Sequence, residues 1–249
     1  MKNKSSLMAD AWGALKQNKA ALFSFVTMSV MVVLVILGPL LSPFAIDQTD
    51  WYQLSAKPSF SSGHIFGTDD LGRDLFVRVM YGGRISLMVG LVATMVSVFI
   101  GVSYGAISGY LGGKTDAIMM RVVDVLYAMP FLFFVILLMV FFGRSILLIF
   151  IAIGAVNWLD IARIVRGQTL NIKGKEFVDA ARAGGVSNIK IVFKHIVPNL
   201  LGLVVVYVAL TVPQVILVES FLSFLGLGVQ EPMTSWGALV NQGAKQMET

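Results

Sequence analysis

Five stretches of this chain run nearly free of charge over lengths that fit a lipid bilayer. Ala20 to Leu41 is an uncharged run of 22 residues, about 33 Å as a helix, enough to cross a hydrocarbon core of about 30 Å. The same test marks Ile85 to Tyr110, Val122 to Phe142, Ile146 to about Leu159, and Leu200 to about Phe224. Helices and closed barrels alone satisfy their backbone polar groups in lipid, and runs of this length and apolarity predict helices. The expected fold is therefore an all-α integral membrane protein, a polytopic bundle with five visible spans. Gly143, Arg144 and Ser145 leave only a tight hairpin between the third and fourth.

Composition agrees: 57% of residues are hydrophobic, 13% are charged and the mean hydropathy is +0.81, well outside the soluble norm of about 25% charged. There is no cysteine, which excludes disulfides, thiol catalysis and thiolate metal sites. Lys2, Lys4, Lys16 and Lys19 precede the first run, which is too long for a signal peptide and has no cleavage site after it. An uncleaved anchor is expected. If the N-terminus is cytoplasmic, 13 of the 19 basic residues fall on the inner side, as the positive-inside rule requires. The net charge of +5 then reports topology, and nucleic-acid binding is not expected.

This topology divides the chain into a cytoplasmic segment 1–19, a first span 20–41, an outer segment 42–84 and a core 85–249. The core holds an inner loop at 160–199 and an outer C-terminal segment at 225–249. Residues 64–87, HIFGTDDLGRDLFVRVMYGGRISL, place Asp69, Asp70, Arg73 and Asp74 around Gly67 and Gly72. The spacing fits no calcium loop. A solvated turn is the first expectation and a docking surface the sharper one.

Ser97, Gly101, Gly105 and Gly109 recur every four residues in the second span, a stripe that lets two helix backbones approach closely in lipid. GVSYG, residues 101–105, matches the serine-hydrolase pattern around Ser103. An elbow of that kind needs a strand, a turn and a histidine partner, and neither His64 nor His195 falls in a span. SGYLGGKT, residues 108–115, has Ser108 where a phosphate loop has glycine and follows a helix rather than a strand, so no nucleotide binding is expected of this chain. Asp124 and Glu219 are acids in or near the ends of apolar runs. They are candidates for a translocation path, although a boundary with water explains them as simply. Pro130 and Pro213 free backbone carbonyls that could line a cavity or merely bend a helix.

The stretch EFVDAARAGGVSNIKIVFKHIVPN, residues 176–199, interrupts this apolar chain with two short amphipathic helices. Phe177, Ala180, Ala181 and Gly184 share one small, flat face, with Glu176, Asp179 and Arg182 towards another. Gly184 and Gly185 can end the first helix in left-handed geometry, and Ser187 can cap the second. Ile189, Val192, Phe193 and Ile196 form its apolar stripe. An alanine and glycine face offers little area to lipid and fits closely into a protein groove. A docking element is expected.

DAARAGG followed by HIVPN resembles the EAA loop of ABC importer permeases, with Asp179 for the Glu, Ala180 and Ala181 in place, Gly185 as the Gly and Val197-Pro198 for the usual Leu-Pro. His195 stands where the general pattern is apolar, as in the peptide-importer branch. FGTDDLGRD, GGRISL, SGYLGGKTD, ARIVRGQTL and ESFLSFLGLGVQEPMTSWGALV are similar to that branch too, which handles dipeptides, oligopeptides and nickel. The likeness is strongest to the second permease subunit of oligopeptide importers.

The resemblance implies a type I importer permease fold in the bacterial inner membrane, without catalytic residues or cofactors of its own. The implied partners are a homologous permease subunit, two cytosolic ATPases that bind ATP and Mg, and a periplasmic peptide-binding protein. Glu176, Phe177, Asp179, Ala180, Ala181, Gly184 and Gly185 would form the coupling element that sits in an ATPase cleft. Members of the family carry a sixth span after the region matching WGALVNQGAKQMET, so an absent sixth span is expected here. The rival readings are an ion-coupled carrier using Asp124 and Glu219, and an intramembrane serine enzyme using Ser103.

Overall fold

The computed structural model describes residues 7–143 and 145–247. Lys2, Lys4, Arg144 and Thr249, which carry part of the expected topology, lie outside the described residues. The chain divides into two compact units, residues 1–84 and 85–249. Among the described residues every regular element is helical, apart from two isolated bridges, Thr49 with Arg73 and Thr68 with Asp74.

In the first unit α1 (Leu7–Gln17) leads into α2 (Lys19–Leu41), whose N-terminus is capped by Asn18 accepting from the Ala21 amide at 3.1 Å. Pro39 lies inside α2 and has no N–H to offer the Val35 carbonyl four residues back. Arg84 Nε supplies the missing donor at 2.9 Å. The outer segment is not the solvated turn expected of it. His64, Asp69, Arg73, Asp74 and Arg78 are all buried. Asp69 accepts from the Arg73 amide at 2.9 Å and from Arg73 Nε at 2.7 Å. Asp74 accepts from the Val77 amide at 2.8 Å and from His64 Nδ1 at 2.8 Å, with the imidazole stacked on Phe44 at 4.2 Å. These charges pair with one another, which is how ionic groups come to tolerate burial. Asp70 alone of the quartet faces outward.

The second unit takes in α3 (Leu75–Leu111) from Ile85 onward, α4 (Gly113–Tyr127), α5 (Phe131–Phe142), α6 (Ile146–Ile172), α7 (Glu176–Ala183), α8 (Asn188–Ile191), a π turn over Val192–Ile196, α9 (Val197–Phe224) and α10 (Trp236–Gln246). Among the described residues three helical stretches are long and apolar enough to cross a membrane: Lys19–Leu41, Leu75–Leu111 and Asn188–Phe224. The expected third span is not one straight helix. It breaks at Pro130 into α4 and α5, bent by 82°, because the residue before a proline is driven out of helical geometry. The fourth apolar run forms the first half of α6, which continues to Ile172.

The small-residue stripe lies against α6 along its length. Ser97 Oγ donates to the Gly154 carbonyl at 3.2 Å. A Cβ on Gly101 would lie 2.8 Å from the Trp158 carbonyl oxygen, one on Gly105 2.3 Å from that of Ala162, and one on Gly109 2.8 Å from that of Arg166. Each member of the stripe therefore meets the next turn of the facing backbone, the close approach that small residues permit.

Candidate functional site: the docking hairpin and the polar cavity

Residues 176–199 fold as the helical hairpin expected from the sequence, and its construction explains how it is held. α7 ends in a Schellman turn: Gly185 has φ +73, its amide donates to the Arg182 carbonyl at 3.0 Å, and the Val186 amide reaches back to Ala181 at 3.1 Å. Only Gly185 is left-handed. Gly184 has φ −75 and caps the helix in ordinary geometry. Ser187 sits at the N-cap of α8, but its side chain makes no capping bond.

Burial reverses part of the expected pattern. Val178 is the residue of α7 that is fully enclosed. Glu176, Phe177, Asp179, Ala180, Gly184 and Gly185 are exposed, and Ala181 is half-buried. In the second helix Ile191, Val192 and Ile196 are buried while Ile189 and Phe193 are exposed. The π turn is the reason, since it adds a residue to the turn and rotates the stripe out of simple helical register. The hairpin thus keeps one apolar side inward and leaves Phe177, Ile189 and Phe193 outward with the small residues.

Inward, Val178, Ile191, Val192 and Ile196 join Val102, Ala106 and Tyr110 of α3, Ile161 and Val165 of α6 and Leu200 of α9 in one core. The Tyr110 hydroxyl donates to Asn188 Oδ1 at 3.2 Å, and Arg182, paired with Asp179 at 3.1 Å, lies over the Tyr110 ring. Nearby, in the first turn of α4, Asp116 accepts from Arg166 through both carboxylate oxygens at 2.6 Å and from Ser108 Oγ at 2.6 Å. The Arg166 guanidinium holds the Asp116 carboxyl below the usual carboxylate range against the opposing effect of burial. The nominal phosphate loop is thereby a helix junction, with Gly112 and Gly113 at positive φ and Lys173 Nζ donating to the Gly109 carbonyl at 3.2 Å.

The two path acids are not brought together. Asp124 is exposed on α4 and pairs with Arg163 at 2.8 Å, whose guanidinium lies 4.4 Å from the Tyr127 ring. Glu219 is fully buried, so the water boundary that explained it as simply does not hold. It accepts from Ser86 Oγ at 3.0 Å and Ser223 Oγ at 2.6 Å. Ser86 Oγ in turn accepts from the Trp236 amide at 3.2 Å, and Ser235, the N-cap of α10, contacts Ser223 at 3.1 Å while accepting from the Ala238 amide. Two hydroxyl relays thus connect Glu219 to the first turn of α10, and the positive helix N-terminus favours the acid. Neither acid provides the open polar route that an ion-coupled carrier would need. Ser103 lies in the interior of a continuous helix, with no strand-turn-helix elbow.

Sequence reasoning missed a cavity of 310 Å³ lined by Tyr127, Phe131, Asn157, Asp160, Gln214 and Val218, among others. It opens where α4 breaks from α5, and Gln214 directly follows Pro213. Both prolines left open in the sequence therefore adjoin it. The available signal was Asp160 itself, an acid placed directly after the fourth apolar run on the same helix.

Residues 101–245 match the family described as binding-protein-dependent transport system inner membrane component, and residues 6–58 match the N-terminal transmembrane domain of oligopeptide transport permease C. The chain is 60% identical to the oligopeptide transport system permease protein OppC of Escherichia coli strain K12 over 98% of its own length and 80% of that protein. The corresponding Haemophilus influenzae protein is 56% identical over 98% of this chain and 78% of its own. The dipeptide transport system permease protein DppC of Bacillus subtilis is 45% identical over 96% and 74%.

Proposed function

We propose, from the premise that this chain belongs to the binding-protein-dependent transport system inner membrane component family and is an importer permease rather than an enzyme, that it carries oligopeptides and is driven through residues 176–199. The cargo class is supported by the 56% and 60% identity to two relatives named for oligopeptides. With the N-terminus in the cytoplasm of a bacterium, the basic hairpin faces inward across the inner membrane. A second, homologous permease supplies the other half of the path. Two cytosolic ATPases bind ATP and Mg, and a periplasmic binding protein delivers the peptide.

α7 is the coupling helix. One observation carries this reading: the hairpin's inner side is continuous with the cores of α3, α6 and α9, while Glu176, Phe177, Asp179, Ala180, Gly184 and Gly185 stay exposed. A push on the exposed face is delivered to three membrane helices at once, because a close-packed core transmits displacement rather than absorbing it.

The test is substitution by bulk on the exposed face. Asp179→Trp and Ala180→Trp in the reconstituted importer should leave insertion and assembly intact. They should lower peptide uptake at least tenfold while ATP hydrolysis no longer responds to the loaded binding protein. Uptake equal to the unsubstituted complex in both variants would remove the coupling assignment.

A further inference from the structure

Asp160 is a carboxylate halfway along α6, directly beyond the apolar first half of that helix. It lies fourteen residues after the start of α6 and twelve before its end, about 20 Å from either. It is exposed, lines the cavity at the α4–α5 break, and makes no ion pair among the described residues. The basic residue one turn further on, Arg163, is instead paired with Asp124 and lies over Tyr127. An acid without a cationic partner persists where water or a passing cation solvates its charge. Asn157 and Gln214 line the same cavity with amide groups, each able to donate and accept.

Building on the permease reading above, we propose that this cavity is a transit site for the ammonium group of the peptide, with Asp160 as its counter-charge and Asn157 and Gln214 as partners for the adjoining peptide bonds. The chemistry is that of a primary ammonium, supplied either by the peptide's amino terminus or by a lysine side chain. Tyr127, Phe131 and Val218 bound the site with apolar surface. They contribute no competing charge, so the cargo need meet only one fixed ion.

Two experiments on the assembled importer in proteoliposomes test this. The chain has no cysteine, so Val218→Cys places a single thiol of this subunit in the cavity. Its rates of modification by a trimethylammonium and by a sulfonate methanethiosulfonate give a ratio that cancels the thiolate fraction. The cationic reagent should be favoured, and adding Asp160→Asn should lower the ratio roughly tenfold. An unchanged ratio, or a thiol that neither reagent reaches, overturns the proposal.

The second experiment measures uptake of two tripeptides that differ only by lysine or norleucine, comparing Asp160→Asn with the unsubstituted importer supplied with the same binding protein. Slowing of both peptides by the same several-fold factor assigns the amino terminus. Slowing of the lysine peptide alone assigns the side chain, and slowing of neither overturns the proposal. Asp160→Glu should restore the rate. If the unsubstituted complex showed no ATP-driven uptake, the permease reading would fail, while the thiol ratio would still report on the charge in the cavity.

Discussion

Gly105→Ala tests the α3–α6 interface with a single methyl. The added carbon would lie 2.3 Å from the Ala162 carbonyl oxygen, with Arg166 N and Val165 Cβ each at 3.0 Å. A carbon and a carbonyl oxygen approach comfortably at about 3.3 Å, so the two backbones must part by about 1 Å. No flexible side-chain end can yield in their place. Overpacking of this kind costs about 1 to 3 kcal/mol, against about 0.5 to 1 kcal/mol gained by replacing glycine with alanine inside a helix. Gly202→Ala in α9 isolates that gain, because nothing lies within 4 Å of its Cβ position. Thermal unfolding of the purified complex in detergent should place Gly105→Ala about 2 to 6 °C below the unsubstituted protein, and Gly202→Ala at or above it. A Gly105→Ala melting point equal to or higher than that of Gly202→Ala would refute the close-approach interpretation of the stripe.

Glu219→Leu should release the first turn of α10 by leaving two buried hydroxyls without their acceptor, at about 1 to 3 kcal/mol each. Hydrogen exchange at the Trp236 and Ala238 amides should rise several-fold relative to mid-α9, and unaltered protection would contradict the relay. Because the folded-state value of Asp116 is depressed, its contribution to stability is full above the ordinary aspartate value and is lost as pH falls below it towards the depressed one. Asp116→Asn should flatten the acid limb of the melting-temperature profile, and identical profiles for the two proteins would contradict the role given to Arg166.

Much of this architecture was legible because lipid imposes simple rules. Run length located the membrane helices, and the four-residue period of Ser97, Gly101, Gly105 and Gly109 picked out residues that each meet α6. Asp179 and Arg182 pair as their spacing implied. What escaped was set by tertiary context. Apolarity does not reveal a bend, so Val122 to Phe142 read as one span until Pro130 broke it. Charged residues read as solvated by default, whereas His64, Asp69, Arg73, Asp74 and Arg78 are buried beside one another, with ion pairs through Asp69 and Asp74. Ile189 and Phe193 read as core because a π turn cannot be anticipated from helical periodicity. Run length gave no sign of the cavity that Asp160 lines just beyond the fourth apolar run, because a cavity is formed by several elements and not by one run.

The absence of a break between α8, the π turn and α9 has a mechanical result. Helical backbone continues from Asn188 to Phe224, 37 residues, about 55 Å end to end. Under the proposed coupling, a displacement at Asn188 would reach Glu219 and Ser223 as tilt or rotation of one continuous helix.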